Sequence, residues 1–270
     1  MVATLNMVGA GKVGRVLGRL FASSGAFVLQ DVLTRSPGSS AQAIAFMGAG
    51  HAAASLDGMR RADCWMLAVG DDQIEPVCAA LAASGHLDGA IVFHCSGAKP
   101  SSVLAAPGAL VASVHPVRSF ADPDQVAAHF SDTFCGIEGD AKALAMLAPA
   151  LAQIGARAVT IDVAAKTVYH AASVFASNYL VTVLDAALRA YRAAGIDDTV
   201  ARQLAGPLAA ETLANVLRIG PEAALTGPIA RGDVDTVARQ QAALDAWDGA
   251  TGQLYASLAK ATSALALRRP

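Results

Sequence analysis

The stretch "TLNMVGAGKVGRVLGRLF", which begins at residue 4, constrains the fold most strongly, because an apolar run passes through a glycine turn directly into a helical pattern. Gly9, Gly11 and Gly14 have a GxGxxG spacing there. In a strand–turn–helix unit, the first glycine permits a tight turn, the second lets the backbone approach a pyrophosphate, and the third allows close helix packing. Free N–H groups at the helix start favour a phosphate. The alternative is a glycine turn that packs helix on strand and binds no ligand.

Strand and helix patterns alternate from this turn to about residue 162. Near-continuous apolar strands separated by helices are typical of a doubly wound parallel sheet with both faces covered. We therefore predict an α/β fold whose N-terminal domain, residues 1–161, is a Rossmann-type dinucleotide-binding sheet. The strands are expected in "TLNMVGAG", "FVLQDVLTRS", "CWMLAVGD", "AIVFHCSG", "ALVASVHP", "DTFCGIEG" and "ARAVTID".

Strand signals stop after this point, and residues 162–270 are predicted to form an all-helical domain for substrate binding and dimerisation. Residues 163–194 have the pattern of one long helix, and "PEAALTGPIARGD", residues 221–233, that of a loop. The most membrane-like window is 169–188, but His170, Asn178 and Asp185 within it are costly in hydrocarbon. We interpret this window as a buried helix of a protein that does not cross the membrane.

Charge and cysteine content exclude several classes of protein. A net charge of −2 argues against a dedicated nucleic-acid surface. The N-terminal residues lack the basic region and cleavage site of a signal peptide. The four scattered cysteines form no CxxC pair, which indicates a reducing, cytoplasmic location. Neither His94 nor His115 is flanked by ligands at zinc spacing, so no metal site is predicted.

The end of the second predicted strand, "LTRSPGSS", favours NADP(H) over NAD. Asp31 lies several residues before the strand end, whereas Arg35 is flanked there by hydroxyl side chains. An arginine in such a setting suits a 2′-phosphate; the alternative is an ordinary exposed loop arginine. The predicted cofactor-binding residues are Gly9, Ala10, Gly11, Lys12, Val13, Gly14, Thr34, Arg35, Ser36, Val69, Gly70 and Asp71.

The long helix carries a polar stripe in "AAKTVYHAASVFASNYL", residues 164–180. Lys166, His170, Ser173 and Ser177 fall within an arc of about 60°. A lysine, a histidine and small hydroxyls indicate a helix that lines a cleft, or alternatively a partly exposed helix end. In the first case Lys166 would donate a proton or polarise a carbonyl, and His170 would lower its pKa or act as the acid.

Two later strand ends, "HCSGAKP" and "SVHPVRSF", place Ser96 and His115 where they could hold a polar substrate group or relay a proton. His115 before Pro116 could instead belong to a turn. For His94, a hydrogen-bonded core position is favoured.

A Gly-Pro segment, "LTGPIARGD", supplies further substrate-binding candidates. Arg231 in it would clamp a substrate carboxylate or, alternatively, cap the next helix together with Asp233. The predicted catalytic residues are thus Lys166, His170, Ser96 and His115, and the predicted substrate-binding residues are Ser96, Asn178, Thr226 and Arg231.

These motifs resemble the group that contains 6-phosphogluconate and 3-hydroxyisobutyrate dehydrogenases and pyrroline-5-carboxylate reductases. "HCSGA" is similar to the serine-bearing strand end of that group, and "VHP" to the His-Pro of prephenate dehydrogenases. The β-hydroxyacid dehydrogenases have a helix lysine followed four residues later by asparagine. Lys166 matches the lysine, but His170 stands in place of the asparagine, which departs from a strict hydroxyacid mechanism.

A closer resemblance is to an uncharacterised bacterial family of Rossmann-like oxidoreductases with a helical C-terminal domain of unknown function. Its pattern includes "GAGKVG", "HCSGA", "HP", "YHAASVFASNYL" and "LTGPIARGD". The resemblance implies an NADP-dependent oxidoreductase acting on a small carbonyl, imine or hydroxyacid, and a homodimer formed through the helical domain. The alternatives are a non-catalytic nucleotide sensor, a dimerisation module, or hydride exchange with a deazaflavin.

Overall fold

The computed structural model describes residues 1–104 and 106–268, and the chain divides into two compact units, Met1–Phe175 and Ala176–Pro270. The predicted domain boundary follows residue 161, at the end of the last strand. The unit boundary lies one helix further along the chain, because the helix Lys166–Val174 belongs to the N-terminal unit.

The N-terminal unit contains an eight-stranded sheet with the order β3-β2-β1-β4-β5-β6-β7-β8. Strands β1 to β6 are joined by parallel pairings, which confirms the predicted α/β class. Strand β7 runs antiparallel to β6, and β8 runs parallel to β7. The strands are β1 (Thr4–Val8), β2 (Val28–Leu33), β3 (His51–Ala52), β4 (Cys64–Leu67), β5 (Ile91–His94), β6 (Leu110–Pro116), β7 (Phe134–Gly139) and β8 (Arg157–Thr160).

Two features of this sheet differ from the sequence prediction. Strand β3 was not predicted, because two residues are too few to show a hydrophobic period. The reversed direction of β7 was not predicted either, since an apolar run has no signal for strand direction. The wholly parallel sheet is therefore corrected to a mixed one.

Helices cover both faces of the sheet, and local sequence signals fix several of their ends. Ser36 caps a helix that opens with Pro37, and Gly25 and Gly48 end helices with φ near +70°. The helices of this unit are α1 (Lys12–Ser24), α2 (Pro37–Met47), α3 (Ile74–Ala83), α4 (Pro123–Ala128), α5 (Ala141–Gln153) and α6 (Lys166–Val174).

The central strand β4 shows why the strands are apolar throughout. Cys64 and Met66 pack into the core on one face of the sheet, and Trp65 and Leu67 pack into the core on the other. All four side chains are at most 1% exposed. Because both faces are buried, polar residues of these strands are available to solvent mainly at the strand ends.

The C-terminal unit is helical, as predicted. Aspartates cap three of its helices: Asp197, Asp233 and Asp248 each accept a hydrogen bond from a backbone N–H of the first turn. The helices are α7 (Leu180–Ala193), α8 (Asp198–Ile219), α9 (Pro221–Ala224), α10 (Gly227–Ala230), α11 (Val234–Trp247) and α12 (Gly249–Ala266).

Helices α9 and α10 lie in the segment that the sequence predicts as a loop. Each has a proline in its first two positions, where a missing N–H costs nothing. Glycine and proline mark loops and one-turn helices alike, so the loop prediction is corrected here.

The predicted long helix is present as a 3₁₀ turn, α6, a π-helical segment (Phe175–Tyr179) and α7. By length and composition, Val163–Ala193 meets the criterion for a membrane span, with a mean hydropathy of 1.4, as core helices of soluble proteins also do. However, no residue of α7 is buried, and Val168 and Val181 are 75% and 67% exposed. The prediction of a buried helix is therefore wrong for this chain, because an apolar composition does not by itself show that a helix is covered.

Candidate functional site

The glycine loop between β1 and α1 has the geometry of a nucleotide-binding turn. Gly9 has a φ of +82°, and a Cβ on it would lie 2.5 Å from the carbonyl oxygen of Ala68. A Cβ on Gly14 would lie 2.7 Å from the Cβ of Ala68, whereas a Cβ on Gly11 would meet no atom within 4 Å. The loop thus combines a tight turn and close helix packing with open space beside Gly11.

A cleft of about 790 Å³ opens beside this loop, at the carboxyl ends of β1, β2 and β4. Clefts of this size hold cofactors and drug-sized ligands. The predicted cofactor-binding residues that line it are Gly9, Ala10, Gly11, Thr34, Arg35, Val69 and Gly70. Arg15, Ser39, Asp72 and Gln73 also line it, although they are not among the predicted cofactor-binding residues.

The other predicted cofactor-binding residues have different surroundings, and they do not line the cleft. Lys12 Nζ donates to the carbonyl oxygen of Ala121 over 2.8 Å, Ser36 caps α2, and Asp71 accepts a hydrogen bond from Ser96. Val13 packs against the apolar core, as the helical period of α1 requires. Only their position next to the glycine motif or at a strand end suggested contact with a ligand.

The end of β2 offers arginines instead of a free carboxylate. Asp31 is 5% exposed, and both its oxygens are bound by Arg60, through Nη2 at 2.6 Å and the backbone N at 2.7 Å. Burial alone would raise the pKa of Asp31, but these hydrogen bonds lower it below its usual value. Arg35 is exposed and has no ion pair among residues 1–104 and 106–268. Arg15 Nε donates to the carbonyl oxygen of Ala10, which fixes the glycine loop from the cleft side.

Three aromatic rings, His115, Tyr169 and His170, meet at the carboxyl end of β6, and we call them the ring cluster. The Nδ1 atom of His115 lies 2.9 Å from the Oη of Tyr169. The centroids of the His115 and His170 rings are 5.6 Å apart, with the planes at 69°. Strand β6 supplies the first ring and helix α6 supplies the other two. The structure therefore brings together the predicted residues His115 and His170 and adds Tyr169.

Two glycines make room for the ring cluster. A Cβ on Gly97, in the turn after β5, would lie 2.3 Å from Cδ2 of His170 and 2.7 Å from Nε2 of His115. A Cβ on Gly136, opposite His115 in β7, would lie 2.4 Å from the Oη of Tyr169. Any side chain at either position would displace the rings.

Burial favours the uncharged forms of His115 and Tyr169 in the ring cluster. It lowers the pKa of His115 to about 4, with smaller contributions from His170 and Lys166. It also raises the pKa of the Tyr169 hydroxyl. Near neutral pH, His115 is a neutral imidazole and Tyr169 keeps its proton.

Lys166 is buried at the start of α6, where residues of β6 and β7 bind its Nζ. Its Nζ is 2.7 Å from Oε1 of Glu138, both side chains are 2% exposed, and it also donates to the hydroxyl of Ser113. Glu138 accepts two further hydrogen bonds from the backbone N and the hydroxyl of Ser101, at 2.8 Å and 2.6 Å. Each charged group of the ion pair thus has hydrogen-bond partners besides the other, which offsets part of the cost of burying the charges.

The pKa values of this pair follow from burial and from each other. Burial lowers the pKa of Lys166. Burial alone would raise the pKa of Glu138, but the Lys166 ammonium and the Ser101 donors lower it. The expectation that Lys166 faces a substrate is corrected. The helical period places Lys166 in one stripe with His170, but it does not show that the first turn of α6 packs on β6 and β7.

Ser96 has a structural role in the same region. Its hydroxyl donates to Oδ2 of Asp71 at 2.8 Å and accepts from the backbone N–H groups of Ala98 and Lys99. It thereby shapes the turn that carries Gly97. His94 is fully buried, with Nδ1 accepting from the Ser96 N–H and Nε2 donating to a backbone carbonyl, which confirms the core interpretation.

The remaining predicted substrate-binding residues belong to the C-terminal unit, and their roles stay predictions. Asn178 is exposed in the π-helical segment, and Thr226 precedes α10. Arg231 ends α10 and is exposed. Asp233 caps α11 through the N–H of Thr236, and within the described residues Arg231 forms no ion pair with it.

Sequence reasoning missed Glu138, Ser113 and Tyr169. Glu138 had a usable signal, because a glutamate inside the apolar run "FCGIEG" must be paired if that run is a buried strand. Tyr169 and Ser113 had none, since both look like ordinary members of an apolar helix and strand.

The fold and the glycine-loop cleft define a Rossmann-like protein, and the family models agree. Residues 3–116 match the model of a Rossmann-like domain, and residues 133–262 match that of a domain of unknown function, DUF2520. The chain therefore consists of a Rossmann-like domain followed by a DUF2520 domain, and the family predicted from the motifs is confirmed. No curated protein matches the chain in sequence.

Several solved structures are similar over nearly the whole chain. BF3122 of Bacteroides fragilis, which carries the provisional name NADP oxidoreductase, is 20% identical over 97% of this chain and 98% of its own, with a TM-score of 0.82. Protein TM1727 of Thermotoga maritima is 28% identical over the same shares, with a TM-score of 0.75. An imine reductase of Myxococcus stipitatus in complex with NADP⁺ is 19% identical over 97% and 94%, with a TM-score of 0.65.

Proposed function

We propose that this protein is an NADP(H)-dependent oxidoreductase that transfers a hydride to or from a small carbonyl, imine or hydroxyacid. One observation supports the proposal most strongly: the glycine loop and the ring cluster both lie at the carboxyl ends of the parallel strands. Strands β1, β4, β5 and β6 are parallel neighbours, and Gly9, Gly97 and His115 follow or end three of them. Three strand spacings of about 4.8 Å separate β1 from β6 by roughly 14 Å.

The residues around the cleft fit a phosphorylated dinucleotide. A pyrophosphate would lie against Gly11 and the free N–H groups of the first turn of α1. Arg35, unpaired among the described residues, and Arg15 would hold the 2′-phosphate, because a guanidinium binds phosphate with two parallel hydrogen bonds. Asp31, the carboxylate that an NAD ribose would require nearby, is already bound by Arg60. NADPH, when bound, supplies a hydride.

The chain itself would supply orientation and a hydrogen-bond donor at the ring cluster. His115 is neutral and half-buried, so it can donate one N–H to a carbonyl oxygen or imine nitrogen. His170 flanks it and narrows the space beside Gly97. Lys166 and Ser96, whose polar atoms are taken up by protein groups, would fix the surrounding elements. The names of the similar structures, which include an NADP⁺-bound imine reductase, support the same class of reaction.

We also propose that the protein is a cytoplasmic homodimer. Apolar side chains on α6 to α8 are exposed in the single chain, among them Val168, Val181, Leu208 and Leu217. A bilayer is a poor cover for them, because Arg189 on α7 forms ion pairs with Asp185 and Asp248. A second copy of the chain would bury the same faces. Sedimentation should show a dimer that Val181→Asp weakens; a monomeric wild type would contradict this.

Free thiols at all four cysteines support a reducing compartment.

Turnover tests the proposed reaction. NADPH consumption is followed by nicotinamide absorbance with a panel of small aldehydes, ketones, cyclic imines and 2-keto acids. We expect one class to be reduced, and His115→Asn to lower kcat by about a hundredfold with NADPH affinity unchanged. Tight NADPH binding without consumption by any class would contradict the proposal and favour a nucleotide sensor.

A further inference from the structure

Tyr169 determines which nitrogen of His115 carries the proton. We propose that the Tyr169 hydroxyl donates to Nδ1 of His115 and so holds the imidazole as the Nε2–H tautomer, with this N–H directed at the substrate. Tyr169 then acts as a positioning residue, and the inference rests on the proposed function above. It also names the substrate class: a molecule whose reacting heteroatom has a free lone pair, a carbonyl or an unprotonated imine.

The direction of the hydrogen bond follows from the number of available acceptors. The two atoms, His115 Nδ1 and Tyr169 Oη, are 2.9 Å apart. If Nδ1 carried the proton, the Tyr169 proton would need another acceptor, and the residues that the structure describes provide no second hydrogen bond for this hydroxyl. A half-buried donor without a partner is costly, so donation from Tyr169 is the favoured arrangement.

The opposite nitrogen is the one left for a ligand. Within residues 1–104 and 106–268, no protein group is hydrogen-bonded to Nε2 of His115. This atom lies beside Gly97, where an added methyl carbon would come within 2.7 Å of it. A neutral imidazole with Nδ1 occupied must carry its proton on Nε2. The ring therefore presents a donor, and a cationic iminium would find no acceptor on it.

Three neighbours hold Tyr169 in place. Gly136 leaves the space that its hydroxyl occupies, and Ile161 packs near the same point, since a Cβ on Gly136 would meet both. Tyr169 follows Lys166 by three residues on α6, so the buried ion pair of Lys166 with Glu138 fixes the turn from which the tyrosine extends. The hydroxyl and the ring thus meet because α6 is anchored at one end.

Nitrogen NMR of ¹⁵N-histidine-labelled protein tests the proposal without any substrate. His115 is assigned by its loss in His115→Asn, and its ring should be neutral at pH 7 with the proton on Nε2. In Tyr169→Phe the Nδ1 resonance should move to the position of a nitrogen without a donor. Tyr255→Phe, which removes a hydroxyl bonded to Gln240 in the helical unit, is the matched control and should change neither signal.

A proton on Nδ1 in the wild type would overturn the proposal, and so would an unchanged Nδ1 resonance in Tyr169→Phe. With a substrate in hand, Tyr169→Phe should lower kcat by about tenfold or more while the Kd for NADPH stays within about twofold. Unchanged kcat with a changed Nδ1 resonance would also overturn the proposed role. If no substrate is turned over at all, the proposed function fails, whereas the tautomer result stands independently.

Discussion

The amino group of Lys166 lies 2.7 Å from a carboxylate oxygen of Glu138, and both side chains are 2% exposed. These two residues come from different elements, the start of α6 and the end of β7, so the ion pair joins the helix of the ring cluster to the sheet. A lysine that the helical pattern places in a reactive stripe is therefore a structural anchor. Replacing Lys166 should therefore affect the free energy of unfolding more directly than it affects catalysis.

Lys166→Met should lower the free energy of unfolding by about 3–5 kcal/mol, because it leaves the Glu138 carboxylate buried without its partner. Urea unfolding measures the change. The double variant Lys166→Met with Glu138→Leu should lose less than the single variant, since no charge remains buried. Lys142→Met, on an exposed position of α5, is the control and should be close to neutral. A single variant within about 1 kcal/mol of wild type would show that the pair does not anchor α6.

Gly97→Ala should disable the ring cluster and spare the cofactor cleft. The added methyl would lie 2.3 Å from the ring of His170 and 2.7 Å from Nε2 of His115, so at least one ring must move. We expect kcat to fall by about a hundredfold, because small displacements of reacting groups are costly. NADPH titration should give an unchanged Kd.

Gly206→Ala is the matched control for that substitution, because a Cβ there meets no atom within 4 Å. It should leave kcat unchanged and stabilise α8 slightly. Full activity of Gly97→Ala would contradict the assigned positions of both histidines.

Acid should destabilise the fold through His94. Burial lowers its pKa to about 4, against 6.5 for an unperturbed histidine, so the unfolded chain binds a proton between these values and the folded chain does not. The stabilisation is complete above pH 6.5 and is lost as the pH falls towards 4, by roughly 3 kcal/mol. Urea unfolding at several pH values should show this slope, and His94→Gln should reduce it by about half, because His115, whose pKa burial also lowers to about 4, contributes a similar slope. An equal slope in the variant would contradict the assignment.

Asp31→Asn should lower stability without changing the choice of cofactor. Its carboxylate is held by the side chain and backbone of Arg60, so it is not available to a ribose. The ratio of the Kd values for NADH and NADPH should stay within about twofold of wild type, while thermal unfolding shifts downwards. A selective loss of NADH binding would show that Asp31 reads the ribose after all.

The order of strands and helices was predictable because strands covered on both faces are apolar throughout, as Trp65 and Met66 in β4 illustrate. The glycine loop was predictable because the spacing of its glycines is specific: Gly9 and Gly14 are sterically required, and Gly11 leaves open space beside the cleft. The direction of β7 was not, since it depends on pairing with β6 rather than on composition.

The site was predictable only in part, for a related reason. His115 and His170 were predicted as site residues because an imidazole can donate or accept a proton near neutral pH. Their contact, however, depends on the space that Gly97 leaves, which no local pattern reveals. Lys166 was given the wrong surroundings because its partners, Glu138 and Ser113, lie more than twenty residues away in the chain. Long-range contacts of this kind decide between a reactive lysine and an anchored one.

Titration of the protein with NADPH and with NADH, followed by nicotinamide fluorescence, tests the central claim most directly. We predict tighter binding of NADPH, and in Arg35→Ala a loss of about tenfold in NADPH affinity with NADH affinity unchanged. Arg157→Ala removes an exposed arginine of β8 that is paired with Asp132, and this variant should bind both nucleotides as the wild type does. Binding of neither nucleotide would contradict the account of the cleft, and with it the proposed hydride transfer.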